Sequence, residues 1–387
     1  MVLRTFGGSF GVTAVGLILA FLYGGTTGVA VAAILIVLEI SVSFDNAVVN
    51  ATVLGELSAF WQKLFLTLGV LIAVFGMRLA FPLIIVGITA HLSPAEAVHL
   101  ALEKGSVHTP GTYANLLHEA HPAIAAFGGM FLLMLFLDFI FEERDITWLS
   151  WLERPLGRIG KLDQLSVVVA SVLLLIAATQ FAPEDKVISV LMSGVLGMVT
   201  YIMVNGLSGL LEEHEEAREE AERDNDDGTA LAPEAAPISR ARATGQLAVK
   251  TGKAAFFSFL YLEVLDASFS FDGVIGAFAI TSDPIIIAIG LGVGAMYIRS
   301  LTVYLVRKGT LADYVYLEHG ALWAIGSLAV LLLLTIRYEI PEVVTGLIGV
   351  GFIGAAFLSS VRRNRRLDGT ASGPGATSEL DAAPAAV

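Results

Sequence analysis

Two short segments of this chain carry paired carboxylates inside stretches that are otherwise apolar. Segment A reads Leu38-Glu39-Ile40-Ser41-Val42-Ser43-Phe44-Asp45-Asn46, and segment B reads Leu265-Asp266-Ala267-Ser268-Phe269-Ser270-Phe271-Asp272-Gly273. In both, an acidic residue stands six positions before the aspartate of a Ser-Phe-Asp triplet. Carboxylate, hydroxyl and amide oxygens are the hard ligands that suit Mn²⁺, Mg²⁺ and Ca²⁺. The two segments therefore indicate a site for a divalent cation.

The acids of the two segments are expected to meet at one ion within the membrane. We predict that its ligands are Glu39, Asp45, Asp266 and Asp272, supported by Ser43, Asn46, Ser270 and Glu263. A charge at the bilayer centre costs at least ~2.5–3.5 kcal/mol, so such acids usually face a cavity and mark an ion path. Arg78 and Arg299, the two arginines within the apolar stretches, are expected to pair with the acids and to hold the empty site when the ion leaves, but they cannot neutralise all five acids. Two alternatives remain open, namely a structural network of these arginines with the acids and a relay that conducts only protons.

Helical geometry sets a condition on this site. On an ideal helix Glu39, Ser43 and Asn46 share a stripe, while Asp45 falls about 120° away at about 100° per residue. Two acids of one segment can meet one ion only if the helix is unwound between them or if two helices cross there. Gly273 and Gly276 predict a break in segment B. Segment A has no such residue, so a helix crossing is expected there.

The similarity of the two segments continues downstream and predicts an internal repeat. The matching pairs are Gly69 and Arg78 with Gly290 and Arg299, nine residues apart in each case, and His121 and Gly128 with His319 and Gly326, seven apart. Three helices thus correspond to three helices. Segment A is predicted to cross the membrane from the outer to the cytoplasmic side, and segment B in the opposite direction. We therefore expect a 3+3 inverted repeat with the site at the interface between the two repeats.

Composition places the chain in a membrane and excludes several kinds of chemistry. Of its 387 residues, 56% are apolar and 15% charged, whereas soluble domains carry about a quarter charged residues. Cysteine is absent, which removes disulfides, thiolate metal sites and cysteine nucleophiles. No phosphate-binding loop or Ser/His/Asp arrangement appears at credible spacing, so we expect neither an enzyme nor an ATP-driven pump, and no tightly bound cofactor.

Apolar stretches long enough to cross a bilayer predict an all-α, polytopic protein of about ten helices. The candidate spans are 8–24, 27–54, 62–88, 119–141, 164–181, 185–210, 254–280, 284–306, 317–336 and 340–360, with the first and fifth short enough that nine is the alternative count. A cleaved signal peptide is the rival reading of the first span. With both termini cytoplasmic, only Lys104, Lys186 and Arg337 lie on the outer side, as the positive-inside rule requires.

The chain therefore divides into seven predicted segments. They are an N-terminal helix (1–29), repeat A (30–141), two intervening helices (142–210), an acidic cytoplasmic linker (211–252), repeat B (253–340), a last helix (341–361) and a disordered tail (362–387). The acidic run 212–227 predicts a short charged helix, either merely solvated or a low-affinity antenna for cations. Five histidines between 91 and 121 indicate a solvated outer loop, with a metal-releasing vestibule or a pH-sensing lid as alternatives.

At these residues the chain resembles the TerC family, membrane proteins named for tellurium resistance and grouped with the LysE-type exporters. The family carries an acid six positions before Asp-Asn, as Glu39, Asp45 and Asn46 do here, and Asp-x-x-Phe-x-x-Asp, as Asp266 and Asp272 do here. The resemblance covers roughly residues 30–141 and 255–340. Where the family continues Ser-x-Pro-Ala, this chain has Gly-Val-Ile-Gly at 273–276, and Glu263 is an additional acid, so it resembles a divergent branch.

The resemblance implies export of divalent metal, chiefly manganese, across the inner membrane of a bacterial cell. The hypothesis is a secondary transporter that exchanges the cation for protons, since carboxylates in a low-dielectric cavity bind either one. The alternative is a non-transporting membrane scaffold or assembly factor whose acids are structural. Expected partners are the metal ion and the lipid bilayer, with homo-oligomerisation left open and no nucleic acid.

Overall fold

A computed structural model describes residues 2–55, 57–69, 71–103, 105–162, 164–226, 252–281, 283–308 and 314–371. Thirteen α-helices and three π-helices account for most of them. In chain order they are α1 Val2–Val42, α2 Phe44–Gly55, α3 Ala59–Leu64, π1 Phe65–Gly69, π2 Ile72–Ala80, α4 Phe81–Thr89, α5 Pro94–Leu102, α6 Tyr113–Phe141, α7 Ser150–Ile159, α8 Leu165–Ile176, π3 Ala177–Phe181, α9 Val187–Asp226, α10 Gly252–Ile280, α11 Pro284–Lys308, α12 Leu317–Thr335 and α13 Glu342–Ala371. The predicted all-α class is confirmed for the described part of the chain.

Seven of the described segments are long and apolar enough to cross a membrane, so the chain is a multi-pass membrane protein. They are Phe6–Ile40, Ala59–Ile88, Tyr113–Phe141, Val187–Leu207, Pro284–Val306, Leu317–Thr335 and Val344–Arg366. A shorter apolar stretch covers Leu165–Phe181. Helix α10 is 29 residues long and carries the acids of segment B.

The first apolar segment is two helices rather than one, because the chain kinks at Gly25. This residue has φ 62° and ψ −152°, a conformation that glycine tolerates because it lacks a Cβ. A Cβ added at Gly28 would lie 2.6 Å from the carbonyl oxygen of Ala20. In a straight helix, residues eight apart are separated by about 12 Å along the axis. The chain therefore folds back at Gly25 between the first two predicted spans.

The helix interruption lies in segment A, not in segment B as predicted. Helix α1 ends at Val42, Ser43 forms a turn, and α2 begins at Phe44, whereas α10 runs unbroken through Gly273. Segment A alternates β-branched residues with serines, which are weak helix formers because serine side chains compete for backbone hydrogen bonds. Glycine costs a helix only about 1 kcal/mol, an amount that packing offsets readily. Composition around Ser43 was therefore the better signal.

Helix α6 forms the centre of the bundle and packs against α9 and α12. Its residues 130–134 are buried and belong to the largest apolar cluster. Helix α1 lies along α11, where the Ser9 hydroxyl donates to the Met296 carbonyl at 3.0 Å and Thr13 bonds Tyr297 at 2.9 Å. Helix α10, which carries the acids of segment B, packs against α9 and α6.

The amphipathic helix α7 is attached to the start of α12 through Glu153. This buried carboxylate accepts hydrogen bonds from the Trp323 indole N–H (3.0 Å) and the Trp148 backbone N–H (2.9 Å), and its Oε2 lies 3.3 Å from His319 Nδ1. Burial by itself raises the pKa of Glu153, but the contacts with His319, Trp323 and the backbone outweigh it and lower that pKa to about 2. Glu153 is therefore a charged anchor at the end of the bundle where α6 finishes.

Both predicted non-membrane segments begin as helix. Helix α9 continues from its apolar part into the acidic run as far as Asp226, and residues 227–251 lie outside the described part. Helix α13 continues through the predicted start of the tail as far as Ala371, and residues 372–387 lie outside the described part. Arginine is a strong helix former, which accounts for the extension through residues 362–366.

Candidate functional site

Glu39, near the end of α1, forms a buried ion pair with Arg78 of π2. Its Oε1 accepts from Arg78 Nη2 and also from the Ser43 hydroxyl, at 3.2 Å for the latter. Both charged side chains are almost fully covered by protein. A buried ion pair needs additional hydrogen bonds to offset desolvation, and Ser43 supplies one of them. The turn at Ser43 thus has a direct role in holding the carboxylate.

Arg299 of α11 is the counterpart of Arg78 and lies beside the acids of α10. Its Nη2 is 3.5 Å from Asp266 Oδ2 and 3.8 Å from Glu263 Oε1. The guanidinium donates instead to two backbone carbonyls of π1, at 3.1 Å to Phe65 and 3.0 Å to Gly69. It also lies over the Phe65 ring, 3.9 Å from the centroid. Arg299 therefore binds π1 by hydrogen bonds and the carboxylates mainly through charge.

The π-helical course of π1 and π2 shapes this half of the site. π-Helical turns are rare and occur frequently at functional sites, where they change the direction in which side chains and backbone groups point. Gly69 lies in π1, and a Cβ there would come 2.6 Å from Glu263 Oε1 and 2.8 Å from Arg299 Nη1. Glycine at this position lets the carboxylate and the guanidinium approach the backbone. In the sequence Gly69 was noticed only as a marker of the repeat.

The acids of α10 have oxygen atoms that no hydrogen bond satisfies among the described residues. Neither Glu263 Oε1 nor Oε2 has a donor, and Asp266 Oδ2 has none. Both residues are buried, with 4% of Glu263 and 5% of Asp266 exposed. Most buried polar atoms are hydrogen-bonded, so an exception of this size requires an explanation such as an ion or ordered water. These oxygens accept no hydrogen bond, and the positive charge beside them is that of Arg299, so they keep the capacity to bind a cation.

Segments A and B lie against each other at Glu39. A Cβ added at Gly273 would be 3.2 Å from Glu39 Oε2, and one added at Gly294 of α11 would be 2.5 Å from both Cβ and Cγ of Glu39. The Glu39 carboxylate therefore lies beside the segment B part of α10, with its stem packed against a glycine of α11. The fold thus places the Glu39 carboxylate beside a helix that lies more than 200 positions further along the sequence.

Replacing Gly294 with alanine should disturb this packing, because the new methyl group meets the stem of Glu39 rather than a flexible end. We expect the free energy of unfolding to fall by about 1–3 kcal/mol, the usual cost of overpacking. Gly354→Ala in α13 is the matched control, because nothing lies within 4 Å of a Cβ added at Gly354. Alanine is a better helix former than glycine, so this variant should be more stable by up to about 1 kcal/mol. Thermal unfolding in detergent measures both. Equal stability of the two variants would contradict the close contact at Gly294.

Some predicted ligands lie outside what can be described. The side chains of Asp45, Ser270 and Asp272 are not among the described ones, so their positions relative to the other acids stay predictions. Asn46 is buried at the start of α2. Among the side chains that are described, no group of three His, Asp or Glu is arranged to hold a metal ion.

A cavity opens at the end of the bundle where α6 finishes. It has a volume of about 320 Å³, and its walls combine polar and charged side chains with a larger apolar part. Its lining comes from five helices and a loop and includes Thr52 of α2, Asp138 of α6, Tyr201 of α9, Ser258 of α10 and Glu318 of α12. The Tyr201 hydroxyl donates to Asp138 Oδ2 at 2.7 Å. In the sequence Asp138 is a single acid near the end of an apolar stretch, and only the tertiary structure shows that it lines a cavity.

The histidine-rich segment contains one short helix and one pair of stacked imidazoles. Helix α5 begins with a capping box of Ser93 and Glu96, and the hydrogen bonds from Ser93 lower the pKa of the Glu96 carboxyl. His99 contacts Glu103 at 3.1 Å on the surface, and the rings of His118 and His121 stack 6.4 Å apart. The predicted alternatives of a vestibule or a lid stay open.

Comparison with known proteins adds a family to this geometry. Residues 44–367 match the family described as protein of unknown function (DUF475). The chain belongs to this family. No curated protein and no solved structure matches it. The matched range begins within segment A and includes Arg78, all of segment B and Arg299, whereas Glu39 and Ser43 lie before it.

Proposed function

We propose that this DUF475 protein is a secondary transporter that moves a divalent metal ion, Mn²⁺ first, across the membrane. The observation that carries the proposal is the set of buried carboxylate oxygens of Glu263 and Asp266 that lack hydrogen-bond donors. A buried carboxylate without hydrogen-bond donors is costly in a low-dielectric interior, even beside an arginine that it shares with a second acid, and a cation bound between such groups lowers that cost. The resemblance to the TerC family, which implies manganese export, supports the same conclusion.

Charge balance favours a cation over a purely structural network. Glu39 and Arg78 neutralise each other in one ion pair, whereas Arg299 stands beside two carboxylates and directs its hydrogen bonds to backbone carbonyls. Asp45 and Asp272 add two further acids to the same segments. The surplus of negative charge needs protons, a metal ion or both. Exchange of one for the other is the basis of the proposed cation/proton antiport.

Ten spans arranged as a 3+3 inverted repeat would place this site at the repeat interface. The fold-back at Gly25, the length of α10 and the apolar stretch Leu165–Phe181 are the candidates for three spans beyond the seven. The pairs Glu39–Arg78 and Asp266–Arg299 support the repeat, because each joins the acidic helix of one unit to the following helix of the same unit. Equivalent pairs of this kind are expected when two halves share one fold.

The cavity at the end of α6 supports a route to the site from the cytoplasm. Its lining residues come from the ends of helices that the positive-inside rule assigns to the cytoplasmic face, including the end of α2 and the start of α10. From there the acids of segment B lie further along α10. A cytoplasmic cation would enter this cavity, reach the carboxylates and leave after the two repeats rock against each other.

A scaffold or assembly factor is the second candidate, and the Glu39–Arg78 ion pair favours it. That pair is fully buried and hydrogen-bonded, as expected of a structural contact. In this case Arg299 would serve the same purpose for α10. The two candidates differ in one observable property, because only a transporter carries metal across a sealed membrane.

Flux of Mn²⁺ into proteoliposomes that hold a metal-sensitive dye tests the proposal. We expect wild-type protein to carry Mn²⁺, and Asp45→Asn or Asp272→Asn to abolish the flux while the protein stays folded. Asp185→Asn, at an exposed loop position, is the matched control and should transport normally. Folded wild-type protein without flux would favour the scaffold. Normal flux in both variants would show that Asp45 and Asp272 are not required for transport.

A further inference from the structure

Asn50 of α2 is a buried polar residue that the proposed site does not use. Only 1% of it is exposed, and its Oδ1 has no hydrogen-bond partner among the described residues. An amide oxygen buried without a donor costs free energy, and inside a membrane protein no bulk water compensates for it. Leucine would fill a similar volume at no such cost. A polar side chain here therefore indicates a ligand.

The packing of α2 against α10 places Asn50 at the level of the segment B acids. Leu54 of α2 belongs to one buried apolar cluster with Phe259 and Leu262 of α10. The two helices run in opposite directions, because the end of α2 meets the beginning of α10 while Glu39, before α2, lies beside Gly273. Asn50 lies one turn before Leu54 on α2, on the side of Glu39. Glu263 lies one turn after Phe259 on α10, on the side of Gly273.

The two groups are thus expected at the same height on facing helices, next to the cavity that leads in from the end of α6. Val49 and Val53, the neighbours of Asn50 on its helix, both line that cavity. Glu263 and Asp266 supply the unsatisfied carboxylate oxygens, and Asn50 supplies an unsatisfied neutral oxygen. Two carboxylates with an amide oxygen form a hard-ligand set that suits Mn²⁺, Mg²⁺ or Ca²⁺.

We propose that the Asn50 amide oxygen is a ligand of the same divalent cation that Glu263 and Asp266 bind, at the cytoplasmic approach to the site. The proposal rests on the proposed transport function and adds a residue to it. A neutral amide is not protonated near neutral pH, so it contributes to binding a metal ion but not to carrying protons. Asn50 therefore favours metal affinity specifically, whereas the carboxylates serve both ions.

Two substitutions at Asn50 distinguish the effect of the amide oxygen from the effect of side-chain shape. Asn50→Leu keeps the volume and removes the oxygen, while Asn50→Asp keeps an oxygen at the same place. We expect Asn50→Leu to raise the Mn²⁺ concentration for half-maximal flux by about 10–100-fold, the usual cost of losing a contact around a metal. Asn50→Asp should stay within a few-fold of wild type. Mn²⁺-dependent thermal stabilisation in detergent gives a second readout that does not need flux.

The matched control is Thr302→Val in α11, because that buried hydroxyl already donates to the Ile298 carbonyl at 3.0 Å and needs no ligand. It should leave the Mn²⁺ dependence unchanged. If Asn50→Leu does not fold, Asn50→Ala removes the same oxygen with less bulk. If the wild-type protein carries Mn²⁺ and the Asn50 variants need the same Mn²⁺ concentration for half-maximal flux, Asn50 is not a ligand, while the transport proposal stands. Absence of both flux and Mn²⁺ stabilisation in the wild type would overturn the transport proposal and this one with it.

Discussion

Replacing Glu263 with glutamine is expected to stabilise the metal-free protein, whereas the same replacement at Glu39 is expected to destabilise it. Glu263 is a buried carboxylate without a hydrogen-bond donor among the described residues, and Arg299 retains Asp266 as a counter-ion. Removing its charge should raise the free energy of unfolding by about 1–3 kcal/mol, measured at a pH high enough that the carboxyl carries no proton. Glu39 is one half of a buried ion pair, and losing one partner of such a pair costs about 3–5 kcal/mol.

The two variants should also differ from wild type in transport. Glu263→Gln removes a proposed ligand, so we expect Mn²⁺ flux to fall by about 10–100-fold even though the protein becomes more stable. Such an opposition between stability and activity is typical of a site that keeps an unfavourable charge for function. Chemical or thermal unfolding of metal-free protein gives the first comparison and proteoliposome flux the second. If Glu263→Gln lost stability as Glu39→Gln does, both acids would be structural.

The sequence was sufficient to find the acids and their arginine partners, because charge inside a membrane is rare and easily recognised. A carboxylate and a guanidinium in neighbouring apolar helices have few other partners, so the contacts of Arg78 with Glu39 and Arg299 with Asp266 follow from composition and topology. The membrane class follows in the same way from apolar length. In both cases one large energy term decides the outcome.

Structural features that depend on several small free-energy contributions could not be predicted from the sequence. The break at Ser43 instead of Gly273 involves differences in helix propensity of about 1 kcal/mol, which packing overrides. The π-helical course of residues 65–69 exposes carbonyls to Arg299 but has no recognisable sequence pattern. Asn50 appears in the sequence as one polar residue in an apolar helix. Only its burial without a partner distinguishes it.

Substitution of Arg299 by methionine should destabilise the metal-free protein strongly and make its stability depend on Mn²⁺. The change leaves two buried carboxylates without their nearest cation and removes the donors that bind Phe65 and Gly69. We expect the free energy of unfolding to fall by about 3–5 kcal/mol. A bound divalent cation replaces the missing charge, so saturating Mn²⁺ should restore part of this loss and stabilise the variant more than the wild type.

Lys161→Met provides the control, because Lys161 pairs with Glu143 at an exposed position, 3.1 Å apart, where ion pairs contribute about 1 kcal/mol or less. Its stability should not respond to Mn²⁺ any more than that of the wild type. Adding Glu263→Gln to Arg299→Met removes one of the uncompensated charges, so the double variant should be more stable without metal and respond less to it. Each result follows only if the guanidinium and the metal ion neutralise the same carboxylates. Equal Mn²⁺ responses of Arg299→Met and wild type would show that they do not.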